Sequence, residues 1–174
     1  LRERSEGLVC SSACLQGEVN WQLNINNPRN VRYGAKGYEV AKEAVLEYKD
    51  MFGDDFYLEI MRHGIADQFF IDEQILRLSK ECGVKVIATN DTHYTLQEDS
   101  SAQEIAMCVA MGKTLNDKDR IKHSVKEFYI KSPEQMQRLF CDIPEVIANT
   151  QEIAQKCRLE LNLKNIEIRN KHTG

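Results

Sequence analysis

Asp91, Thr92 and His93 are the sharpest chemical signal in the sequence. In an extended segment residues i and i+2 project to the same side, so a carboxylate and an imidazole would leave the chain together. They follow Val84-Lys85-Val86-Ile87-Ala88-Thr89, a compact, mostly apolar run that reads as a strand. The C-terminal ends of parallel strands are where α/β sheets and barrels place their sites. An Asp-x-His pair offers two ligands to a divalent metal such as zinc or manganese. The same tripeptide also reads as a turn, because Asn90-Asp91 favours turns and the carboxylate can cap a following helix.

Cys14 is the second candidate. It follows the short apolar run Gly7-Leu8-Val9-Cys10, and a thiolate there could be a third metal ligand at the same sheet edge. The competing reading is a buried apolar cysteine, and Cys10, inside the run, fits that reading better. Glu59 and His63 flank the end of Phe56–Met61, and His63 reads as a surface residue helping to cap a loop. His123 and His172 have no evident partner. Lys113, Lys118, Arg120, Lys122 and Lys126 could touch phosphates. With Asp117 and Asp119 among them, they read as a solvated mixed-charge face.

The elements that must position these groups alternate. A helix is expected over 38–52, with Val40, Ala44, Tyr48 and Met51 as its stripe, then a strand over 56–61. A second helix follows from Ala66 or Asp67, with Ile71, Ile75, Leu78 and Cys82 on one face and Gly83 as its stop. After the strand over 84–89 comes a third helix over 98–111, with Ala102, Ile105, Cys108 and Val109 inward. Such alternation predicts parallel βαβ units. The Asn- and Gly-rich stretch 20–37 reads as irregular. Ser132-Pro133-Glu134-Gln135 is a helix start with reciprocal caps, and Asp142-Ile143-Pro144-Glu145 looks like a repeat of the device. The second of these helices would place Val146, Thr150, Ile153 and Cys157 together. Leu159, Leu161 and Leu163 then alternate with polar residues, as in a short strand or extended tail.

The 174 residues carry 23 Lys and Arg against 27 Asp and Glu, a net charge of −4. A strongly basic stand-alone nucleic-acid module is therefore excluded. No run approaches the ~20 apolar residues of a membrane span, and mean hydropathy is −0.49. The six cysteines are loosely spaced and form no CxxC, the habit of reduced intracellular thiols. There is no GxxxxGK[ST] loop, no GxGxxG and no GxSxG. Four histidines are too few for a complete two- or three-metal phosphoesterase centre. The start, Leu1-Arg2-Glu3-Arg4, is that of a piece of something longer.

Asp55-Phe56-Tyr57-Leu58-Glu59-Ile60 and Gly83 through Tyr94 closely resemble the PHP (polymerase and histidinol phosphatase) domain, in the version carried by the alpha subunits of bacterial replicative DNA polymerase III. Gly7 through Glu18, Gly112 through Asp117, Phe128 through Met136 and Pro144 through Thr150 continue the resemblance in order. It implies an α/β fold in which parallel βαβ units form part of a distorted (β/α)7 barrel, followed by a helical pair. Residues 1–160 would be the C-terminal part of that domain, and 161–174 a tail or linker toward a polymerase core outside this chain. The family holds divalent metal ions, zinc or manganese, at the C-terminal ends of its strands. Cys14 matches its cysteine ligand, and Asp91 and His93 match its Asp-x-His. The upstream His-x-His and the middle ligands have no counterpart here.

The resemblance implies a cytoplasmic parent that makes DNA from dNTPs, with magnesium in its core, as part of a replicative holoenzyme. This segment would be an accessory domain, with no catalytic residue of its own assigned. The intact domain would be a metal-dependent 3′–5′ exonuclease or phosphoesterase, or a metal-free structural module. A stand-alone PHP phosphoesterase is the alternative that 112–117 and 128–136 speak against. A part-barrel with bare strand edges is also expected to self-associate.

Overall fold

In the computed structural model, which describes residues 2–160, β2 (Phe56–Ile60) is buried at all five positions. It runs parallel to β1 (Cys10–Ser11) on one side and to β3 (Lys85–Ala88) on the other. Cys10 lies opposite Phe56, and Tyr57 through Ile60 lie opposite Lys85 through Ala88. The crossover from β1 to β2 carries α1 (Glu18–Leu23), α2 (Pro28–Arg32) and α3 (Tyr38–Phe52). That from β2 to β3 carries α4 (Ala66–Cys82). The expected parallel βαβ order is therefore present, as an open three-stranded sheet in which no barrel closes among the described residues.

One face of the sheet makes the core. Phe56, Leu58, Ile60, Val86 and Ala88 join Ala41, Ala44 and Val45 of α3 and Ile71, Ile75 and Leu78 of α4. The α4 stripe is the expected one, and Gly83 ends the helix in the left-handed conformation, φ 63°. In α3 the buried face is turned one residue on, to Ala41, Ala44 and Val45, with Val40, Tyr48 and Met51 half-buried.

The stretch 20–37, expected to be irregular, holds α1 and α2. Both are too short for a helical period to show. Val19 and Leu23, one turn apart, are buried with the core, and the Asn27 side chain caps α2 ahead of Pro28 by accepting from Arg29 N at 3.0 Å. The first strand is Cys10–Ser11 and half-buried, not the apolar run 7–10, and Leu8 is exposed.

α5 (Ser100–Met111) lies where expected but does not pack as expected. Only Cys108 is buried, and Ala102, Ile105 and Val109 face outward. The place beside β3 is taken instead by α7 (Glu145–Lys156), so α5 has no sheet to cover.

α6 (Pro133–Leu139) starts with the capping box its sequence announces: Ser132 Oγ accepts from Gln135 N, and Gln135 Oε1 accepts from Ser132 N. The second device does not form. α7 begins at Glu145 without a side-chain cap. Asp142 instead accepts both Arg62 Nη atoms, at 2.5 and 2.9 Å. A bidentate, charge-assisted pair outweighs one neutral cap. Val146 is buried, Thr150 and Ile153 are half-buried, and Cys157 is exposed just past the helix. Leu159 is exposed, and Leu161, Leu163, His172 and the tail 161–174 lie outside the described residues. All six cysteines are free thiols, and no described helix is long and apolar enough to cross a membrane.

The outer edge of β3 is not bare. Asn149 Nδ2 donates to Val86 O at 2.8 Å, and Thr150 Oγ1 both accepts from Ala88 N at 3.2 Å and donates to Ala88 O at 3.0 Å. Two polar side chains of α7 thus complete the hydrogen bonds that another strand would make. Asn149→Leu with Thr150→Val should cost about 1–3 kcal/mol for each backbone group left unpaired. It should also expose an edge that templates association. Urea unfolding with light scattering checks both. Unchanged stability in a monodisperse sample would mean that water satisfies the edge equally well.

Candidate metal centre

The chain leaves β3 through Thr89 and Asn90 into a pinned loop. Thr89 N still donates to Ile60 O, at 3.2 Å. Asn90 Nδ2 donates to Tyr129 O, His93 N to Phe128 O at 2.8 Å, and Ile130 N to Thr95 O at 3.2 Å. Tyr94 and Tyr129 form a parallel bridge. Asp91 is held at φ 42°, a left-handed conformation that costs a non-glycine residue energy and is kept by these flanking bonds.

The result is that Asp91 Oδ1 and His93 Nε2 stand 3.6 Å apart, both side chains about one-third exposed. Two donors on one tetrahedral zinc, each about 2.1 Å from it, are separated by about 3.4 Å. The pair therefore fits one edge of a coordination tetrahedron. Among the described residues, neither side chain makes a competing hydrogen bond or ion pair. A carboxylate oxygen and an imidazole nitrogen are donors that zinc and manganese accept.

Cys14 sits in a separate loop at the end of β1. Asn20 Nδ2 donates to Ala13 O and Cys14 O, at 3.0 and 3.1 Å, and Gly17 N donates to Cys14 O at 2.8 Å. The loop closes so tightly that a Cβ on residue 17 would lie 2.1 Å from Ser12 O, so only glycine fits. The thiol is half-buried. Among the described residues no three His, Cys, Asp or Glu side chains come together closely enough to hold a metal ion. The structure thus joins Asp91 to His93 and leaves Cys14 apart from them.

His63 is not a surface residue: it is 2 % exposed. Gln68, from the first turn of α4, donates to its Nδ1 at 2.8 Å and accepts from its backbone N–H at 2.8 Å. Its Nε2 donates to Asn90 O at 2.9 Å. Burial pushes its pKa down, so the neutral ring acts as a strut beneath the Asn90-Asp91 turn. Only the His-to-Gln spacing, across a strand end and a helix start, could have signalled this. Glu59 is also buried, accepting from Ser11 and Thr89 hydroxyls on the two flanking strands.

His123 acquires neighbours the sequence did not suggest. Its ring centre lies 4.9 Å from that of His93 and 4.5 Å from that of the buried Phe128. Burial, then His93, lowers its pKa. The basic stretch is largely neutralised, with Lys113 paired to Asp119 and Arg120 to Glu104, while Lys118, Lys122 and Lys126 are exposed.

Residues 1–63 match the family model described as PHP domain. The chain is 70 % identical, over 95 % of its length, to the DNA polymerase III subunit alpha of Campylobacter jejuni subsp. jejuni, covering 14 % of that protein. It is 69 % identical over 94 % of its length to the subunit of the same name from Helicobacter pylori (strain J99), covering 14 % of it. With that of Borreliella burgdorferi it shares 45 % identity over 90 % of its length, covering 13 %.

The chain belongs to the PHP-domain family.

It spans about a seventh of the length of these relatives. The PHP model covers Cys14, Glu59 and His63, while Asp91 and His93 lie beyond it, in the stretch shared with the alpha subunits. Arg62 locks this end of the PHP segment to the helical pair: beyond Asp142, it donates to Asp72 Oδ2 at 3.1 Å and Leu139 O at 2.7 Å. Burial pushes the Asp72 carboxyl up to about 6, against the downward pull of Arg62. The folded protein then holds this proton more tightly than the unfolded chain, whose carboxyl titrates near 3.8. Between pH 4 and 6, rising pH therefore removes stability, by about 2–3 kcal/mol at this one group. Asp72→Asn lacks that slope. Measured by urea unfolding, its stability relative to wild type should rise by about that amount from pH 4 to pH 7. A constant gap would show Asp72 ionised throughout.

Proposed function

We propose that residues 1–160 are the C-terminal part of the PHP domain of a replicative DNA polymerase alpha subunit, with 161–174 leading toward its polymerase core. The support is the high identity to proteins of that name along nearly the whole chain. In this reading the parent extends DNA from dNTPs in the cytoplasm with magnesium in a core outside this chain, alongside other holoenzyme subunits. The segment is an accessory domain without polymerase chemistry of its own.

Within that domain, Asp91 and His93, joined by Cys14, contribute one side of a divalent metal centre of zinc or manganese. The observation that carries this is the Asp91–His93 pair. It lies 3.6 Å apart, beyond the end of a parallel strand, with no competing partner among the described residues. A bound divalent ion would supply Lewis acidity and an activated water suited to 3′–5′ phosphodiester cleavage. The chain's own residues hold the donors: His63 fixes the Asn90-Asp91 turn, and the 128–130 segment pins His93. With two adjoining donors and a third apart, the isolated segment should bind metal weakly and show no nuclease activity. The absence of any convergent three-donor group among the described residues favours a second reading, a metal-free scaffold.

Elemental analysis of the full-length protein beside a Cys14→Ala, Asp91→Ala, His93→Ala variant decides between them. Zinc or manganese near stoichiometric in the parent and lost in the variant is the expected result. Equal metal in both, or none in either, would leave the segment as scaffold.

A further inference from the structure

We infer that His123 is a further donor to the divalent ion held by Asp91 and His93, delivered by the loop over 113–127. The inference rests on the metal reading above and adds a residue that the match of Cys14, Asp91 and His93 does not include.

The first support is spacing. With a metal–nitrogen bond near 2.1 Å, an imidazole centre lies about 3.2 Å from the ion, and two such rings on a tetrahedral ion are about 5 Å apart. The rings of His93 and His123 are 4.9 Å apart and inclined at 39°. With the Asp91–His93 contact at 3.6 Å, two separations at the site match those of ligands sharing one ion.

The second is how His123 is held. Phe128 is 5 % exposed, and His63, His93 and His123 pack around it at 4.4, 5.3 and 4.5 Å between ring centres. The backbone bonds of His93 and Tyr94 to Phe128 O fix this hub against the site. His123, five residues earlier in the chain, is brought to the site by the same anchor.

The third is room. As they stand, the three donor atoms do not share a centre. His123 also lines a cavity of about 90 Å³ with Tyr94, Ser100, Glu104 and Lys126. The ring torsion of histidine is broad, so the cavity lets the ring turn toward the pair without displacing the loop.

Packing against Phe128 alone is the competing role, and His123→Phe separates the two, since it keeps a ring and removes both nitrogens. The full-length protein and its His123→Phe, His123→Ala and Asp91→Ala variants would be titrated with Zn²⁺ against a chelating dye, and with Co²⁺ read by its visible absorption. His123→Phe should weaken Zn²⁺ at least about tenfold and alter the Co²⁺ spectrum, with His123→Ala no weaker a binder than His123→Phe beyond the effect of lost packing. Wild-type affinity and spectrum in His123→Phe would overturn the inference and leave the Asp91–His93 reading standing. No metal binding that depends on Asp91 in the parent would overturn both.

Discussion

Complete burial of β2 is the constraint on which the rest of the structure depends. Five consecutive residues have no access to water, so every backbone polar group and every side chain in Phe56–Ile60 must be satisfied within the protein. The parallel ladders to β1 and β3 take care of the backbone. Helices α3 and α4 cover the apolar face. Tyr57 and Glu59 point the other way, and each recruits partners: Tyr57 Oη meets Glu152 and Lys156 of α7, and Glu59 draws in Ser11 and Thr89. The helix α7 is thereby tied to the sheet, and its Asn149 and Thr150 fall on the free edge of β3.

The same demand shapes the loops that carry the candidate ligands. Ser12 Oγ accepts from Glu59 N, so the chain turns directly after β1 into the tight loop of Cys14. Thr89 is engaged by Glu59, so the turn at Asn90 begins at a fixed height above β3. His63 fills the space beyond β2 as a neutral, doubly hydrogen-bonded ring, which avoids placing a buried charge beside Arg62 and Lys131. Buried polar groups that are fully paired in this way specify one arrangement, and here that arrangement presents Asp91 and His93 side by side.

What could be read from the sequence follows from the range of the forces involved. The α4 stripe, the left-handed stop at Gly83 and the capping box at Ser132 are set by residues within a turn or two of one another, and they stand as written. The α5 face does not, because Ala102, Ile105 and Val109 have the period of a buried helix but the place beside β3 belongs to α7, 40 residues on. Asp142 has the local features of a helix cap, yet Arg62, distant in sequence, holds it more strongly. His63 looked like a loop residue because Gln68, which buries it, begins the next element. Of the candidate site, the Asp-x-His spacing was legible as chemistry. The Phe128 hub was not, because it is built by three histidines from three separate segments.

That hub changes how the site should be understood. Asp91 and His93 lie on no strand or helix: they occupy a loop whose strained φ of 42° is sustained by bonds to Tyr129, Phe128 and His63. A ligand pair on a free loop would have to be ordered by the ion, which lowers affinity. Here the ordering is done by buried aromatic packing and main-chain hydrogen bonds, so an arriving ion meets donors already at the separation it requires. Phe128 matters more in this respect than any side chain that could touch the ion, since it holds the two rings closest to Asp91 in a single packed unit.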